Sequence, residues 1–281
     1  MNAIEMKHVT KNYASFSLKD LSLSLPCGCI MGLIGENGAG KSTTIKLLMN
    51  AIQRESGEIK ILGQDNQKES FLNVKEEIGI VLEEACFPDA LNAQKISRLM
   101  KSAYKNWQED TFFQYISHFN LSETKPFKNY SKGMKMKLSI AAALSHQPKL
   151  LILDEPTSGL DPVVRDEIIE ILNDFTREET HSILMSSHII SDLEKISDYI
   201  AYLHHGKLLF CEEKDHLLEE YAVLHTTEAD SSRVPKEAIL FKKEGKYSTE
   251  LFVHRKKLSG TFHPEPAGLE EIMLFFAKKE V

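Results

Sequence analysis

The chain has 281 residues, of which 42% are apolar and 27% charged, and this composition is typical of a globular protein with a sizeable core. The formal net charge of −7 argues against binding to nucleic acid, because phosphate binding usually needs a basic face. No apolar run reaches roughly eighteen residues and the N-terminus lacks the apolar core of a signal peptide, so we expect no membrane-spanning segment, and a role in transport would need another chain to form the channel.

Apolar runs and amphipathic stretches alternate along most of the chain. Short apolar runs bounded by glycine or polar residues predict buried strands, and stretches with apolar residues on one face predict helices. In chain order the predicted elements are strand 29–34, helix 43–52, strand 58–62, strand 78–82, strand 150–153, helix 168–176 and strand 182–186. This alternation indicates an α/β core with a mostly parallel sheet.

Two regions depart from this alternation. Residues 93–119 show only helical spacing, which predicts a helical insertion in the core. After Tyr221, short mixed stretches precede a helix-like segment at 269–278. We therefore expect a main domain over residues 1–220, with a helical subdomain inserted over about 85–145, and a small accessory region over 221–281 that covers the core or, alternatively, regulates dimerisation.

The four cysteines are scattered and lack the paired spacing of a zinc site. They are Cys27, Cys29, Cys86 and Cys211. This pattern predicts buried or half-buried free thiols in a reducing cytosol.

Eight consecutive residues match the phosphate-binding pattern G-x-x-x-x-G-K-[ST], between a predicted strand and a predicted helix. They are Gly35, Glu36, Asn37, Gly38, Ala39, Gly40, Lys41 and Ser42, and Thr43 follows directly. The glycines allow backbone N–H groups to point inward at phosphate oxygens, and the helix presents its positive N-terminus to the same anion. We expect Lys41 to reach the β- and γ-phosphates of a nucleoside triphosphate and the Ser42 hydroxyl to bind Mg²⁺.

Two adjacent carboxylates end the apolar strand at 150–153. Asp154 leaves the sheet at its carboxyl edge, where open α/β sheets bind ligands, and is expected to hold Mg²⁺. Glu155 is placed to polarise an attacking water as a general base. Hydrolysis of ATP needs both kinds of acid, one neutralised by metal and one free to accept a proton.

Three further motifs carry a family resemblance. The segment Tyr130-Ser131-Lys132-Gly133-Met134 resembles the ABC signature, Ser158-Gly159-Leu160-Asp161 resembles the D-loop, and Ser186-Ser187-His188 resembles the switch histidine. Through these motifs and their order, residues 3–215 resemble the ATP-binding subunit of ABC transporters. The resemblance implies a P-loop NTPase (RecA-like) α/β core with an antiparallel β edge, an inserted helical subdomain and a small C-terminal appendage.

The resemblance also implies roles for single residues. In the head-to-tail dimer of this family, Ser131 and Gly133 of one subunit would cap the γ-phosphate that the other subunit binds, and Asp161 would belong to the same nucleotide interface. His188 would contact the γ-phosphate and hold the attacking water in register with Glu155. Tyr13 resembles the aromatic residue that stacks on adenine; Phe16 is a rival for that role, and an ordinary surface tyrosine is the alternative reading of Tyr13.

Two positions differ from the usual family pattern. Glu83 takes the place of a glutamine that contacts Mg²⁺ and water; its carboxylate could still bind the metal, whereas the alternative is a solvated acid at a loop start. Lys132 and Met134 replace glycine and glutamine in the signature, but Ser131 and Gly133 are retained. The sequence therefore predicts an active site that turns over ATP.

The signature variant and the Leu-Glu-Glu segment at 82–84 look like the bacterial ABC-2 type exporter branch. The resemblance implies an ATP hydrolase with ATP and Mg²⁺, peripheral at the cytoplasmic face of the cell membrane. Its partners would be an integral-membrane ABC-2 type permease, which selects a peptide, antibiotic or lipid-like cargo, and a second ATPase subunit in a homo- or heterodimer, with no nucleic acid expected. The rival class is a soluble ABC ATPase acting on ribosomes or DNA, which usually carries two cassettes or long coiled-coil insertions. A third reading is a nucleotide-binding regulator without turnover, but such a protein would not need Glu155 and His188.

Overall fold

The computed structural model describes residues 1–83, 87–245, 248–258 and 262–279. The chain divides into two units, residues 1–208 and 209–281. The main domain expected over residues 1–220 and the accessory region expected over 221–281 stay predictions, since the first unit ends at Leu208. Cys86, one of the four cysteines considered above, lies outside the described residues.

The first unit begins with strands and then alternates strands with helices. Its strands are β1 Asn2–Asn12, β2 Ser17–Pro26, β3 Ile30–Ile34, β4 Ser56–Ile61, β5 Gln64–Asp65, β6 Ile78–Val81, β7 Leu150–Asp154, β8 Ser182–Ser187 and β9 Tyr199–His204. Its helices are α1 Lys41–Leu48, α2 Phe71–Lys75, α3 Ala93–Ala103, α4 Glu109–His118, α5 Lys132–Leu144, α6 Pro162–Phe175 and α7 Ile190–Ile196.

A parallel sheet forms the centre of this unit, with neighbouring strands in the order β9-β3-β8-β7-β6. Strands β3, β7 and β8 are buried along their whole length, which explains their nearly continuous apolar sequences. Because the strands are parallel, the segments that follow β3, β7 and β8 all begin at the same edge of the sheet. The mostly parallel α/β core expected from the sequence is confirmed.

A second, antiparallel sheet has the strand order β2-β1-β4-β5, and it provides the antiparallel β component that the family resemblance implied. The strand predicted at 58–62 is β4 and belongs to this sheet. It ends at Ile61 because Leu62 and Gly63 have φ angles of 47° and 80°, which reverse the chain into β5.

Helix α1 is shorter than the apolar spacing over 43–52 predicted. It begins at Lys41 and ends at Leu48, because Asn50 adopts a left-handed φ of 52°. The Ala51 N–H then donates to the Lys46 carbonyl at 2.9 Å, closing the helix with a Schellman-type turn. Ile52 therefore follows the helix, although it lies at a helical spacing from the apolar residues before it.

The helical region has a core of its own. Helices α3, α4 and α5 pack around buried aromatic residues, among them Trp107, Phe112, Phe119 and Phe127. The Trp107 indole N–H donates to the Ser97 hydroxyl at 3.3 Å, so the ring's polar edge is satisfied inside this cluster. A separate aromatic-rich core allows this region to be stable as a helical subdomain within the α/β unit.

Strand β10, Lys207–Glu213, crosses the boundary between the units. The second unit then contains α8 Lys214–Glu220, β11 Tyr221–Thr226, α9 Glu228–Ser231, β12 Ile239–Glu244, β13 Thr249–His254, β14 Glu265–Pro266 and α10 Leu269–Lys279. Four of these strands form an antiparallel sheet in the order β12-β13-β11-β14. In the described part of the chain, none of the helices has the length and apolar character needed to cross a bilayer.

Candidate functional site

The phosphate loop connects β3 to α1. Gly40 is the N-cap of α1 with a φ of 116°, a conformation that side chains rarely adopt, and a Cβ atom here would lie 2.9 Å from the Phe16 ring. Among the residues that the structure describes, no side chain caps this helix N-terminus, so its first N–H groups are available to an anion. The loop thus has the backbone geometry that the sequence motif predicted for binding phosphate.

Lys41, Glu155 and His188 meet in one cluster, in which Lys41 and Glu155 are buried and His188 is exposed. The Lys41 ammonium is 3.2 Å from Glu155 Oε1 and donates to the Gly35 carbonyl at 2.7 Å. On the other side of the carboxylate, Glu155 Oε2 lies 2.7 Å from His188 Nδ1 and accepts from the His188 backbone N–H at 3.3 Å. The three residues predicted to be catalytic are therefore in direct contact, with the carboxylate between two nitrogen groups.

Ser186 supports both acids of the pair that follows β7. Its hydroxyl donates to Asp154 Oδ1 at 2.5 Å and accepts from the Glu155 N–H at 3.0 Å. Parallel pairing of β7 with β8 sets this contact, because Asp154 lies opposite Ser186 in the register. Glu155 adopts a left-handed φ of 51°, which turns its side chain away from that of Asp154.

A cavity of about 780 Å³ opens over the phosphate loop. Of the residues predicted to bind nucleotide, metal or water, those that line this cavity are Glu36, Asn37, Gly38, Gly40, Lys41, Ser42, Thr43, Glu83, Glu155 and His188. Gly35 and Ala39 are buried parts of the same loop, and Asp154 is buried beside Ser186. Glu83 is exposed and lines this cavity, and it also lines a second pocket beside Tyr130 and Lys132.

The two aromatic candidates for adenine stacking lie in different surroundings. Phe16 lines the cavity, together with Ser15 and His205. Tyr13 is 45% exposed and does not line it; the Lys11 ammonium lies 5.5 Å from the Tyr13 ring centre. The structure therefore places the rival aromatic, Phe16, at the site.

The signature and the last three residues of the D-loop line a different cleft of the same unit, whereas Ser158 lines the cavity over the phosphate loop. Ser131, Lys132 and Gly133 face this cleft together with Gly159 and Asp161. Ser131 caps α5 by accepting from the Met134 N–H at 3.2 Å, and Asp161 caps α6 by accepting from the Val164 N–H at 3.1 Å. In a single chain, these predicted nucleotide contacts are not part of the cavity over the phosphate loop.

The sequence reasoning did not assign Ser15, Ser186 or His205 to the site. Ser186 was noted only as part of the switch motif, although its position at the end of a strand beside Asp154 is the signal that indicates a supporting role. His205 lines the cavity from the turn after β9; the His-His-Gly sequence there shows a turn but gives no sign that it lies against the phosphate loop. Nearby, burial and then the Glu36 carboxylate raise the pKa of the Tyr202 hydroxyl above its ordinary value.

Comparison with known proteins gives a consistent set of similarities. The family model described as ABC transporter matches residues 18–158. The bacitracin transport ATP-binding protein BcrA of Enterococcus faecalis is 35% identical over 211 residues, covering 73% of this chain and 68% of that protein. The lantibiotic transport ATP-binding protein SrtF of Streptococcus pyogenes is 34% identical over 215 residues, covering 75% of this chain and 91% of that protein.

A solved structure of an ATP-binding subunit of an ABC transporter has the same fold. It superposes with a TM-score of 0.70 at 28% identity and covers 76% of this chain and 91% of that one. The similarity in sequence and fold therefore covers roughly three quarters of the chain.

Proposed function

Because this chain belongs to the ABC transporter family, as an ATP-binding and ATP-hydrolysing subunit that powers a membrane exporter, we propose that it couples ATP hydrolysis at Glu155 and His188 to the export of peptide antibiotics. The observation that carries the catalytic part of this proposal is the contact of Lys41, Glu155 and His188 beside the phosphate loop. The cargo is proposed from the relatives, both of which are named for antibiotic transport.

The chemistry follows from the position of the Glu155 carboxylate. An ATP γ-phosphate in the phosphate loop would draw Lys41 away from Glu155, which frees one carboxylate oxygen. Glu155 then accepts a proton from water as the water oxygen attacks the γ-phosphorus, the bond to the bridging oxygen breaks, and ADP and phosphate are formed. His188 keeps the carboxylate in place through Oε2 and contacts the γ-phosphate through its ring, 47% of which is exposed.

Mg²⁺ fits the donors that the site offers. The Ser42 hydroxyl and the carboxylates of Asp154 and Glu83 are oxygen ligands, which Mg²⁺ prefers. Ser42 and Glu83 line the same cavity, and the Ser186 hydroxyl fixes the Asp154 carboxylate. When bound, the ion would neutralise charge on the β- and γ-phosphates.

A second ATPase subunit would complete the site. Ser131 and Gly133 line a cleft apart from the phosphate cavity, so within one chain they cannot cap the same nucleotide. A head-to-tail pair brings this cleft of one subunit over the phosphate loop of the other. We propose such a dimer, of identical or closely related chains, with ATP at each interface.

The permease is expected to be an ABC-2 type membrane protein, which would hold this subunit at the cytoplasmic face of the membrane. A coupling helix of the permease would dock near residues 83–92, between the core and the helical region; residues 84–86 of this segment lie outside the described residues. Closure of the ATP-bound dimer would then move the permease, and opening after hydrolysis would reset it.

The test replaces the proposed general base in the host cell. Glu155→Gln keeps the side-chain size but removes the carboxylate, so ATP turnover in isolated membranes should fall by about 10²–10⁴-fold, because general-base catalysis is lost. The same strain should become more sensitive to bacitracin or to a lantibiotic. Glu178→Gln, at an exposed position beyond α6, is the matched control and should change neither quantity.

The two parts of the proposal can fail separately. Normal turnover in the Glu155→Gln protein would contradict the catalytic role. If turnover is lost but sensitivity to every peptide antibiotic tested is unchanged, the proposed catalytic role of Glu155 stands and the proposed cargo is contradicted.

A further inference from the structure

Two adjacent histidines lie at the end of β9, where the chain turns beside the phosphate loop. His204 ends the strand, and the turn His205-Gly206 has φ angles of 45° and 79°. In an extended strand successive side chains point to opposite faces, but the left-handed conformation of His205 interrupts this alternation. The two imidazole rings consequently lie against each other, with their centres 4.2 Å apart.

A carboxylate from the phosphate loop joins the two rings. One ligand atom from each of Glu36, His204 and His205 lies within 4.8 Å of the other two. The backbone keeps these segments together, because the Gly206 N–H donates to the Ala39 carbonyl at 3.0 Å. The three side chains therefore come from two segments that are already hydrogen-bonded to each other.

The buried histidine of this group has unused hydrogen-bonding capacity. His204 is only 8% exposed, and its Nδ1 atom is buried without a hydrogen-bond partner in the described part of the structure. Buried polar atoms are nearly always paired, so an unpaired imidazole nitrogen in a cluster of potential ligands indicates a missing partner. A metal ion bound by the cluster would fix the tautomer and orientation of this ring.

We propose that Glu36, His204 and His205 form a binding site for a borderline transition-metal ion, of which Zn²⁺ is the representative. Two imidazoles and one carboxylate are a donor set that Zn²⁺ accepts, with a fourth position left for water. Glu36 and His205 also line the cavity over the phosphate loop, so the ion would bind at its edge. This site differs from the proposed Mg²⁺ site, whose donors are all oxygen atoms.

A bound ion would link the phosphate loop to the turn after β9. Phe16 lies against the same turn, since a Cβ atom on Gly206 would be 3.3 Å from its ring. The metal would thus restrain the two segments that border the proposed nucleotide site. This inference goes beyond the proposed export function and does not depend on ATP turnover.

The test measures metal binding by the full-length, tag-free protein without nucleotide. Calorimetric titration with Zn²⁺ should show one site, and Co²⁺ at that site should give the d–d absorption of a nitrogen- and oxygen-ligated ion without thiolate charge-transfer bands. His205→Asn preserves a residue that tolerates the left-handed turn, and Glu36→Gln preserves side-chain size. Loss of a residue that only supports a metal ligand weakens metal binding by roughly 10- to 100-fold. Each variant removes a direct ligand, so each should weaken the binding of both ions by at least that factor.

His8→Asn is the matched control. His8 also has a left-handed φ, of 52°, and pairs with a carboxylate, Asp20, at 2.7 Å, but it is exposed and is not part of the three-residue cluster. Its replacement should leave the Zn²⁺ affinity unchanged. The proposal would be overturned if the control lost as much affinity as the cluster variants, or if both cluster variants kept their affinity. Cobalt spectra dominated by thiolate bands would also overturn it.

Discussion

Glu155 shows how a single backbone conformation sets the chemistry of the site. A left-handed conformation costs a non-glycine residue about 1–2 kcal/mol. Here two hydrogen bonds from the Glu155 N–H, to the carbonyl and the hydroxyl of Ser186, hold that conformation in place. The strained conformation lets two adjacent acids, Asp154 and Glu155, face different partners and serve different roles.

The adenine contact gives a prediction at the same scale. Phe16 lines the cavity and Tyr13 does not, so Phe16→Ala should weaken ATP binding by about 1–3 kcal/mol, the contribution of one base–aromatic stack. Tyr13→Ala should leave ATP affinity unchanged. Calorimetry with ATP and with tripolyphosphate separates the causes, because the Phe16 variant should lose affinity only for ATP. A loss confined to the Tyr13 variant would assign the stack to Tyr13 instead.

The sequence could group site residues where a motif fixes both residue type and spacing, although their roles stay predictions. Lys41, Glu155 and His188 belong to three separate motifs, and the structure brings them into contact. Ser186 and His205 could not be assigned in this way, because their roles depend on which strands are neighbours and on where a turn lies. Neither fact is present in the local sequence.

At the scale of elements, the N-terminus of α5 combines a structural and a proposed functional role. Ser131→Ala removes the N-cap and should lower stability by about 0.5–2 kcal/mol, as measured by urea denaturation. Ser131→Asn keeps a capping side chain and should be nearly as stable as the native protein. Both variants should lose ATP-driven association, because the hydroxyl proposed to contact the γ-phosphate is absent; normal association of the Asn variant would show that Ser131 acts only as a cap.

The end of α5 gives a prediction about pH. His146 is buried, its ring stacks on Tyr104 at 4.0 Å, and its Nδ1 lies 3.1 Å from the Glu76 carbonyl. Burial lowers the pKa of His146 below its ordinary value, despite the opposing hydrogen bond. Below about pH 6.5 the unfolded chain therefore binds a proton that the folded chain does not. The free energy of unfolding consequently falls by at most about 1.4 kcal/mol for each unit by which the pH is lowered.

Urea denaturation at pH 7.5 and at pH 5.5 measures this effect. The contribution of His146 is complete above the unfolded pKa and is lost as the pH falls towards the folded pKa. His146→Gln should reduce the pH dependence, whereas His8→Asn, at an exposed histidine, should retain it. Identical pH slopes in the native and His146→Gln proteins would contradict the assignment.

Strands β3, β6, β7 and β8 of the parallel core were predicted from their short apolar runs, whereas β9, which pairs with β3, was not predicted. Boundaries were harder to predict: the left-handed Asn50 ends α1, and the turn at Leu62-Gly63 ends β4, although the apolar spacing continues past both points. The strands of the second unit were not predicted. They are short and mixed in composition, and their pairing joins β11 to β13 and β14, which lie far along the chain.

At the scale of the whole molecule, the central feature is the separation of the two parts of the proposed nucleotide site. The phosphate loop, Glu155 and His188 surround one cavity, and Ser131 and Gly133 line another cleft of the same unit. If both parts contact the same ATP, they must come from two subunits. ATP would then act as part of the interface, and hydrolysis would release it.

Sedimentation of the Glu155→Gln protein with saturating Mg·ATP tests this claim most directly. Without nucleotide, the isolated protein should be monomeric. With ATP it should be dimeric, both alone and bound to its co-purified permease. Adding Ser131→Asn should abolish the ATP-dependent dimer without weakening nucleotide binding. A Glu155→Gln protein that binds ATP but remains a single copy in both settings would contradict the account.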